Sequence, residues 1–483
     1  MGPAQGRGAA AAGAMDGAKG GSLFLMLFIA SLFIPGSFSV GPIGLSFYKL
    51  FLMAAALPLG LHWIQGRAGP IIAPDILVLA FCVWQALSIL VNNGMSQIII
   101  VGTNILEVAG GYLAGRVLVR SAADYRAFFR YFLTGLLVLL PFVLVEFLTG
   151  RRLLKHLLGV VLDTETGAYA KREVRLGFVR PAVGFPHPIL YGFVCSIAVA
   201  NTYYIYARNW LGRMIRTGFV VFMIFLSLSS APMLSAALQI GMIGWDRIVR
   251  FLRGHWFLFV LIGVVSVAVL HMLLPGGLVG YTVNEVIFNP IGGNNRIEIF
   301  RYGLEEVWRH PLLGIGRNDW ARPFWQHGSV DNFWLLTAMR YGIPGLLLLV
   351  LAIGISATRI MGAQDLDEEE TRYRTGYMIA LCGMVLVLCT VAIWGAPVPF
   401  VMAYLGAGVW FYAGRAAAET DTRPARRSAA AARHPRPGRK TLPARSGIVT
   451  ASAGPERGIP PRRPSDPRRA VPPRRPAPSG RRT

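Results

Sequence analysis

The chain has 483 residues, 54% of them hydrophobic and only 15% charged, with a mean hydropathy of +0.50. Soluble globular domains carry roughly 25% charged residues, so this composition excludes an ordinary soluble enzyme or binding module. The net charge of +24 points to anionic partners, but it is unevenly spread.

Residues 1–21 are rich in Gly and Ala and predict a disordered N-terminus. The apolar run behind them continues through "SLFIPGSFSV" without a small-residue cleavage site, which reads as an uncleaved first helix and not a signal peptide. Apolar runs close to the ~20 residues that cross a bilayer then recur over 22–40, 43–62, 71–91, 97–118, 127–148, 186–206, 217–231, 233–249, 256–274, 332–356, 375–394 and 397–413. A transmembrane barrel would show short alternating segments instead. The expected fold is therefore all-α, a polytopic transmembrane helical bundle of about twelve spans forming a domain over 22–414.

The seventh and eighth runs are short and flank Pro232, so apolarity alone equally allows one kinked helix. Charge decides. Arg67, the group Arg116, Arg120 and Arg126, the group Arg208, Arg213 and Arg216, the group Arg247, Arg250 and Arg253, and the group Arg359, Arg372 and Arg374 fall in alternate loops. Positive residues mark cytoplasmic loops, and this alternation requires 217–249 to cross twice. Both termini are then cytoplasmic, and two large loops, 149–185 and 275–331, lie outside.

From Arg415 onward there are 18 Lys/Arg against 4 Asp/Glu, which is +14 of the total charge. This Arg/Pro-rich segment, 415–483, buries too little apolar surface to fold alone and predicts a disordered cytoplasmic tail. No aromatics are interleaved with its arginines, so a nucleic-acid partner is not expected; anionic headgroups of membrane lipids are the expected partner. The four cysteines, Cys82, Cys195, Cys382 and Cys389, sit in apolar runs without metal-ligand spacing and read as small hydrophobes.

The loop 149–185 breaks the charge rule. It carries Arg151, Arg152, Lys155, Lys171, Arg172, Arg175 and Arg180 against Asp163, Glu165 and Glu173. Either the topology is inverted or these cations meet an anion outside, and a guanidinium fork suits a phosphate or diphosphate. In the second outer loop, "NNRIEIFRYGLEEVWRH" (294–310) places Ile297, Phe300, Leu304 and Val307/Trp308 on one face. That pattern predicts an amphipathic helix at the membrane surface or packed on the bundle.

Three ordered stretches, "RPAVGFPHPILYGF" (180–193), "NNRIEIFRYGLEEVWRHPLLGIG" (294–316) and "DNFWLLTAMRYGIPGLL" (331–347), together resemble the O-antigen ligase/O-antigen polymerase family. Its members are bacterial inner-membrane glycosyltransferases. The resemblance implies a multi-pass protein with a periplasmic active site and an undecaprenyl-diphosphate-linked oligosaccharide as donor. An acceptor hydroxyl would attack the anomeric carbon. The family often has His where this chain has Asp331, and Ser-Arg-Gly-Ala where it has "SSAPMLS". Asp-Asn at this position looks closer to polymerases of exopolysaccharide, capsule or O-antigen repeat units than to ligases that transfer glycan to a lipid or protein.

Such a reaction asks for a base at the acceptor and cations at the departing diphosphate. Asp331 is the expected base, with His327 as the second candidate; Asp331 could equally serve as the N-cap of the next helix. Arg180 and Arg296 are the expected diphosphate ligands, with Arg175, Asn332 and Arg340 as further substrate-binding candidates. Arg340 lies deeper and could pair with Glu107 or Glu146, where Gly342-Ile-Pro-Gly345 would kink the helix. No carboxylate pair with metal-binding spacing stands in the outer loops, so no metal or cofactor is expected. The rival readings are a ligase and a flippase or transporter of lipid-linked sugars; a flippase should show internal repeats, and none is evident. Other polysaccharide-assembly proteins are possible partners.

Overall fold

A computed structural model describes residues 22–40, 43–162, 173–252, 254–274 and 290–413. The expected N-terminal segment 1–21, the basic tail, and the loop cations Lys171 and Arg172 lie outside the described residues.

The described chain is helical apart from two short antiparallel hairpins, Ser37–Val40 with Ile43–Ser46 and Val174–Arg175 with Phe178–Val179. Each apolar run read from the sequence contains a helix, although the runs 22–40 and 43–62 meet in the first hairpin and the run 375–394 ends beyond Leu388. Among the described residues, seven helices are long and apolar enough to cross a membrane: Phe47–Ile64, Ala73–Asn93, Met95–Leu118, Ala122–Thr149, Pro188–Ile205, His255–Leu273 and Phe333–Met361. The other runs give shorter or more polar helices. Ser22–Phe33 and Pro397–Ala413 are short, and Glu368–Leu388 begins with three acidic residues. The pair 217–249 is two helices, Trp210–Leu226 and Ser230–Val249, separated by a turn at Ser227–Ser229.

Helices pack where small residues let backbones approach. A Cβ on Gly115 would lie 1.9 Å from the Ala403 carbonyl oxygen, so the 397–407 helix rests directly on Gly111–Leu118, the small-residue packing expected in lipid. Three buried carboxylates are paired with cations. Arg116 meets Asp75 at 3.3 Å, with Tyr112 and Trp63 donating to the same carboxylate. Glu107 meets Lys49 at 3.6 Å and accepts from Tyr48 at 2.8 Å. Glu146 meets Arg152 at 3.3 Å and accepts from the backbone N–H groups of Ala182 and Val183. Both acids that were candidate partners for Arg340 are thus already engaged, and Arg340 has no ion pair among the described residues.

The Phe333–Met361 helix breaks at Gly342, which has φ 70° and ψ 180°. The cause lies in the preceding segment. Ile315 N–H donates to the Met339 carbonyl at 2.8 Å, Gly316 N–H to the Arg340 carbonyl at 2.9 Å, and Ile343 N–H to the Pro311 carbonyl at 2.8 Å. The "PLLGIG" segment therefore docks backbone-to-backbone onto the break and satisfies the groups the kink releases. The kink expected from the Gly-Pro-Gly cluster is present, and it anchors the 311–316 segment.

The Pro290–Arg309 helix is present but turned. Ile299, Gly303, Glu306 and Val307 pack inward, while Ile297, Phe300, Leu304 and Trp308 are exposed. Glu306 tolerates burial because its carboxylate accepts from Arg309 and from the Ala321 N–H. The apolar stripe seen in the sequence thus faces away from the bundle, as a surface suited to lipid.

Candidate functional site

One end of the bundle gathers residues 173–189, the 227–231 turn, Arg296, the 329–332 segment and the 390–394 turn. Between them lies a pocket of about 400 Å³ lined by Arg175, Arg180, Arg296, Asp331, His187 and Trp394, among others.

The arginines are aimed by local backbone. In the second hairpin, Leu176 and Gly177 both have positive φ, 53° and 81°, the pattern of a tight two-residue turn. The turn brings Arg175 and Arg180 back beside each other, and Arg180 N–H donates to the Glu173 carbonyl at 2.9 Å. The 227–230 turn then receives them. Arg180 Nε donates to the Ser227 carbonyl at 3.2 Å and Nη2 to Ser229 Oγ at 2.7 Å; Arg175 Nη1 donates to the Leu228 carbonyl at 2.7 Å. Arg180 is only 6% exposed and also pairs with Glu173. Arg296 enters from the Pro290–Arg309 helix and faces Asp331 at 3.6 Å.

Three guanidinium groups thus share one pocket with the Asp331 carboxylate, and Glu173 pairs with Arg180 beside it. Burial lowers the proton affinity of Arg180, Glu173 offsets part of that, and Arg175 and Arg296 lower it further. Arg175 is likewise lowered by burial and then by Arg296. Arginines remain charged under such shifts, so the repulsion is stored and an incoming anion would relieve it. Glu173 is held at about 2, first by the His187 hydrogen bond at 2.7 Å and then by the charges of Arg180 and Arg175, against opposing burial. Its depressed value means that its contribution to stability is complete above the ordinary range near 4.5 and is lost as pH falls toward 2. Thermal stability of the wild type is expected to fall between pH 5 and 2 more steeply than that of Glu173→Gln; parallel melting-temperature curves would remove Glu173 from this role.

The sequence candidates separate here. Arg180, Arg296, Arg175 and Asp331 line the one pocket. Asp331 is not the helix cap: Asn332 is, its side-chain oxygen accepting from Leu335 N–H at 2.9 Å. Asn332 therefore has a structural task, and the Asp331 carboxylate is not spent on the helix. His327 is exposed and does not line the pocket. Arg340 lines a neighbouring cavity of about 160 Å³ with Arg317, Asn104 and Glu107 at its polar part and Leu349 and Met402 at its apolar part. Trp394 lines both cavities.

Sequence reading missed His187, although it sits inside the first quoted stretch. Its Nδ1 accepts from Ile189 N–H at 3.2 Å, and its Nε2 faces Glu173. With Nδ1 accepting, Nε2 must carry the proton, so neither nitrogen is free to act as a base, and His187 positions Glu173. Ser229 and the carbonyls of Ser227 and Leu228 were also missed, since a turn whose role is to aim arginines leaves no side-chain pattern. Among the described residues no group of three or more His, Cys, Asp or Glu side chains could hold a metal ion.

The comparison with known families is consistent with this geometry. A family model described as O-Antigen ligase matches residues 217–350, which include the 227–230 turn, Arg296, Asp331 and the second and third quoted stretches. The first stretch, with Arg180 and His187, precedes the matched region. No curated protein matches the chain.

Proposed function

We propose, from this family match and the arginine pocket, that the chain is a glycosyltransferase that polymerises lipid-linked oligosaccharide repeat units. The donor is a glycan on undecaprenyl diphosphate, and the pocket lies on the periplasmic face of the bacterial inner membrane. The observation that carries this reading is the convergence of Arg175, Arg180 and Arg296 with Asp331 in one pocket. Three buried or half-buried cations fit a diphosphate, and one carboxylate free of capping duty fits an acceptor proton.

The acceptor hydroxyl gives its proton to Asp331 as its oxygen bonds to the anomeric carbon. The bond from that carbon to the diphosphate oxygen breaks, and the electron pair leaves with the lipid diphosphate. The three guanidinium groups hold the growing charge. Donor binding also readies the base, because a diphosphate competes for Arg296 and loosens its pairing with Asp331. Glu173 is too acidic to serve as the base. The cavity beneath Arg340 and Arg317, mostly apolar and joined at Trp394, suits the first isoprene units of the carrier. Polymerase is preferred to ligase because Asp331-Asn332 stands where the family often has His-Asn.

Arg180→Lys and Arg296→Lys keep charge but lose the bidentate fork. A charge-assisted hydrogen bond is worth about 1.5–3 kcal/mol, so each substitution is expected to weaken use of the lipid donor by roughly 10- to 100-fold. The transfer step is expected to persist in EDTA, with arginines in place of a divalent metal ion. Unchanged donor dependence in both variants would remove the diphosphate role, and turnover lost in EDTA and restored by Mg²⁺ or Mn²⁺ would overturn the metal-independent step.

The alternating arginine loops support a topology of twelve crossings with both termini in the cytoplasm. In a background freed of Cys382 and Cys389, an impermeant thiol reagent applied from outside is expected to label Asp319→Cys and to miss Glu368→Cys. The reverse pattern would invert the topology.

A further inference from the structure

A second pocket, of about 330 Å³, stands against the first at the same end of the bundle. Gly395 and Pro186 line it, and their chain neighbours Trp394 and His187 line the arginine pocket. The 184–187 and 394–396 segments line both pockets, and they meet where a Cβ on Gly395 would lie 3.1 Å from Pro186. The wall combines aromatic faces, Tyr48 and Phe185, with the hydroxyls of Ser37 and Ser46. Its size falls at the lower end of the ~300–1,000 Å³ of ligand sites.

Lys155, on the Leu153–Leu162 helix, also lines this pocket and is 6% exposed. Its Nζ donates to the Phe185 carbonyl at 3.1 Å. An ammonium has three donors, and no carboxylate stands within ion-pair distance of this one among the described residues. Glu146, the acid that acts on it from the neighbouring helix, is taken up by Arg152 and two backbone N–H groups. A buried charge without a counter-ion is costly, and its position on the wall of a pocket lets a ligand supply the missing anion.

We propose that the Lys155 pocket holds a carboxylate-bearing sugar of the glycan, one unit away from the reacting sugar, so that the polymer is acidic. This rests on the transferase reading and names its substrate class. One ammonium matches one negative charge, whereas the three arginines next door match a diphosphate. The aromatic faces and hydroxyls suit a sugar ring, which has apolar C–H faces and a polar rim. The shared wall places the two ligands a short distance apart, as adjacent units of one chain require.

The amine is charged at neutral pH. Burial, then the charge of Arg152, hold it at about 8, with Glu146 opposing. Its attraction for a carboxylate therefore fades as pH rises past that value.

The test is binding of tri-galacturonate and of its carboxyl-reduced counterpart to the full chain in nanodiscs of zwitterionic lipid, followed by calorimetry. The acidic probe is expected to bind at least tenfold more tightly at pH 7, the preference shrinking by pH 9. Lys155→Gln is expected to abolish the preference, and Arg180→Gln to keep it. Equal affinity for the two probes, binding of neither, or a preference that survives Lys155→Gln or is lost in Arg180→Gln overturns the proposal. If Lys155→Gln fails to fold, the wild-type pH series decides, and a preference unchanged from pH 7 to 9 overturns it. Displacement of the probe by added phosphatidylglycerol in the wild type would assign the pocket to a lipid headgroup and also overturn it. Binding needs no turnover: a preference without transfer would defeat only the transferase reading, and transfer without a preference only this inference.

Discussion

Asp331→Asn is expected to reduce chain formation by about 10²–10⁴, the usual worth of general base catalysis, while leaving the protein folded and at normal abundance in the membrane. The structure makes this substitution informative. A residue just before a membrane helix would ordinarily be suspected of capping it, so its loss could act through folding. Here Asn332 caps the Phe333–Met361 helix, and Asp331 faces Arg296 in the pocket. Asparagine at 331 keeps the size of the side chain and removes the lone pair that takes the proton. Asn332→Ala should behave oppositely, lowering stability by about 0.5–2 kcal/mol with a smaller effect on turnover of the folded fraction. Near-normal polymer from Asp331→Asn, together with none from His327→Ala, would return the base to His327 and require the 320–331 segment to rearrange.

Gly342→Ala is expected to be the most damaging single methyl addition in this region. The backbone at Gly342, φ 70° and ψ 180°, lies where residues other than glycine are strained by about 1–3 kcal/mol. Space compounds the strain: a Cβ there would lie 1.9 Å from the Leu312 carbonyl oxygen, and backbone cannot swing aside as a flexible side chain can. The substitution would push the "PLLGIG" segment off the helix break and cost the three backbone hydrogen bonds that join them. The same segment leads into the chain that carries Asp331, so the site should loosen together with the fold. Detergent-solubilised Gly342→Ala is expected to melt well below the wild type and to lose transfer activity. A melting temperature equal to the wild type's would show that the kink does not depend on this glycine.

Much of this was legible in the sequence. Apolar runs placed the helices, because the length that crosses a bilayer is set by the rise per residue. The charge excess in 149–185 pointed to an anion, and Arg175, Arg180, Arg296 and Asp331 converge despite lying up to 156 residues apart in sequence. The Gly-Pro-Gly cluster announced the kink.

What failed has a common physical source. Periodicity tells which residues of a helix share a face but not what that face meets. The stripe Ile297, Phe300, Leu304 and Trp308 was readable, but not whether it met the bundle or lay outside; the bundle took the adjacent face, where Gly303 permits close approach to Leu335 and Met339. Short-range spacing likewise suggested that His327 could swing beside Asp331. His327 is instead exposed, on a loop tied back by Trp320 Nε1 donating to the Gly328 carbonyl and Arg322 Nε to the Gln326 carbonyl. The cap fell to Asn332 instead of Asp331, a one-residue choice set by backbone angles. Arg340 was read as a paired intramembrane charge, but Lys49 and Arg152 reach Glu107 and Glu146 first.

The most direct test of the whole account is single-turnover transfer with purified chain and a synthetic undecaprenyl-diphosphate-linked repeat unit labelled in its glycan. The account predicts a glycan longer by one repeat unit, with undecaprenyl diphosphate released in equal amount, and a rate that collapses in Asp331→Asn. Folded wild-type protein that yields no longer glycan, or an Asp331→Asn variant that elongates at the wild-type rate, would contradict it.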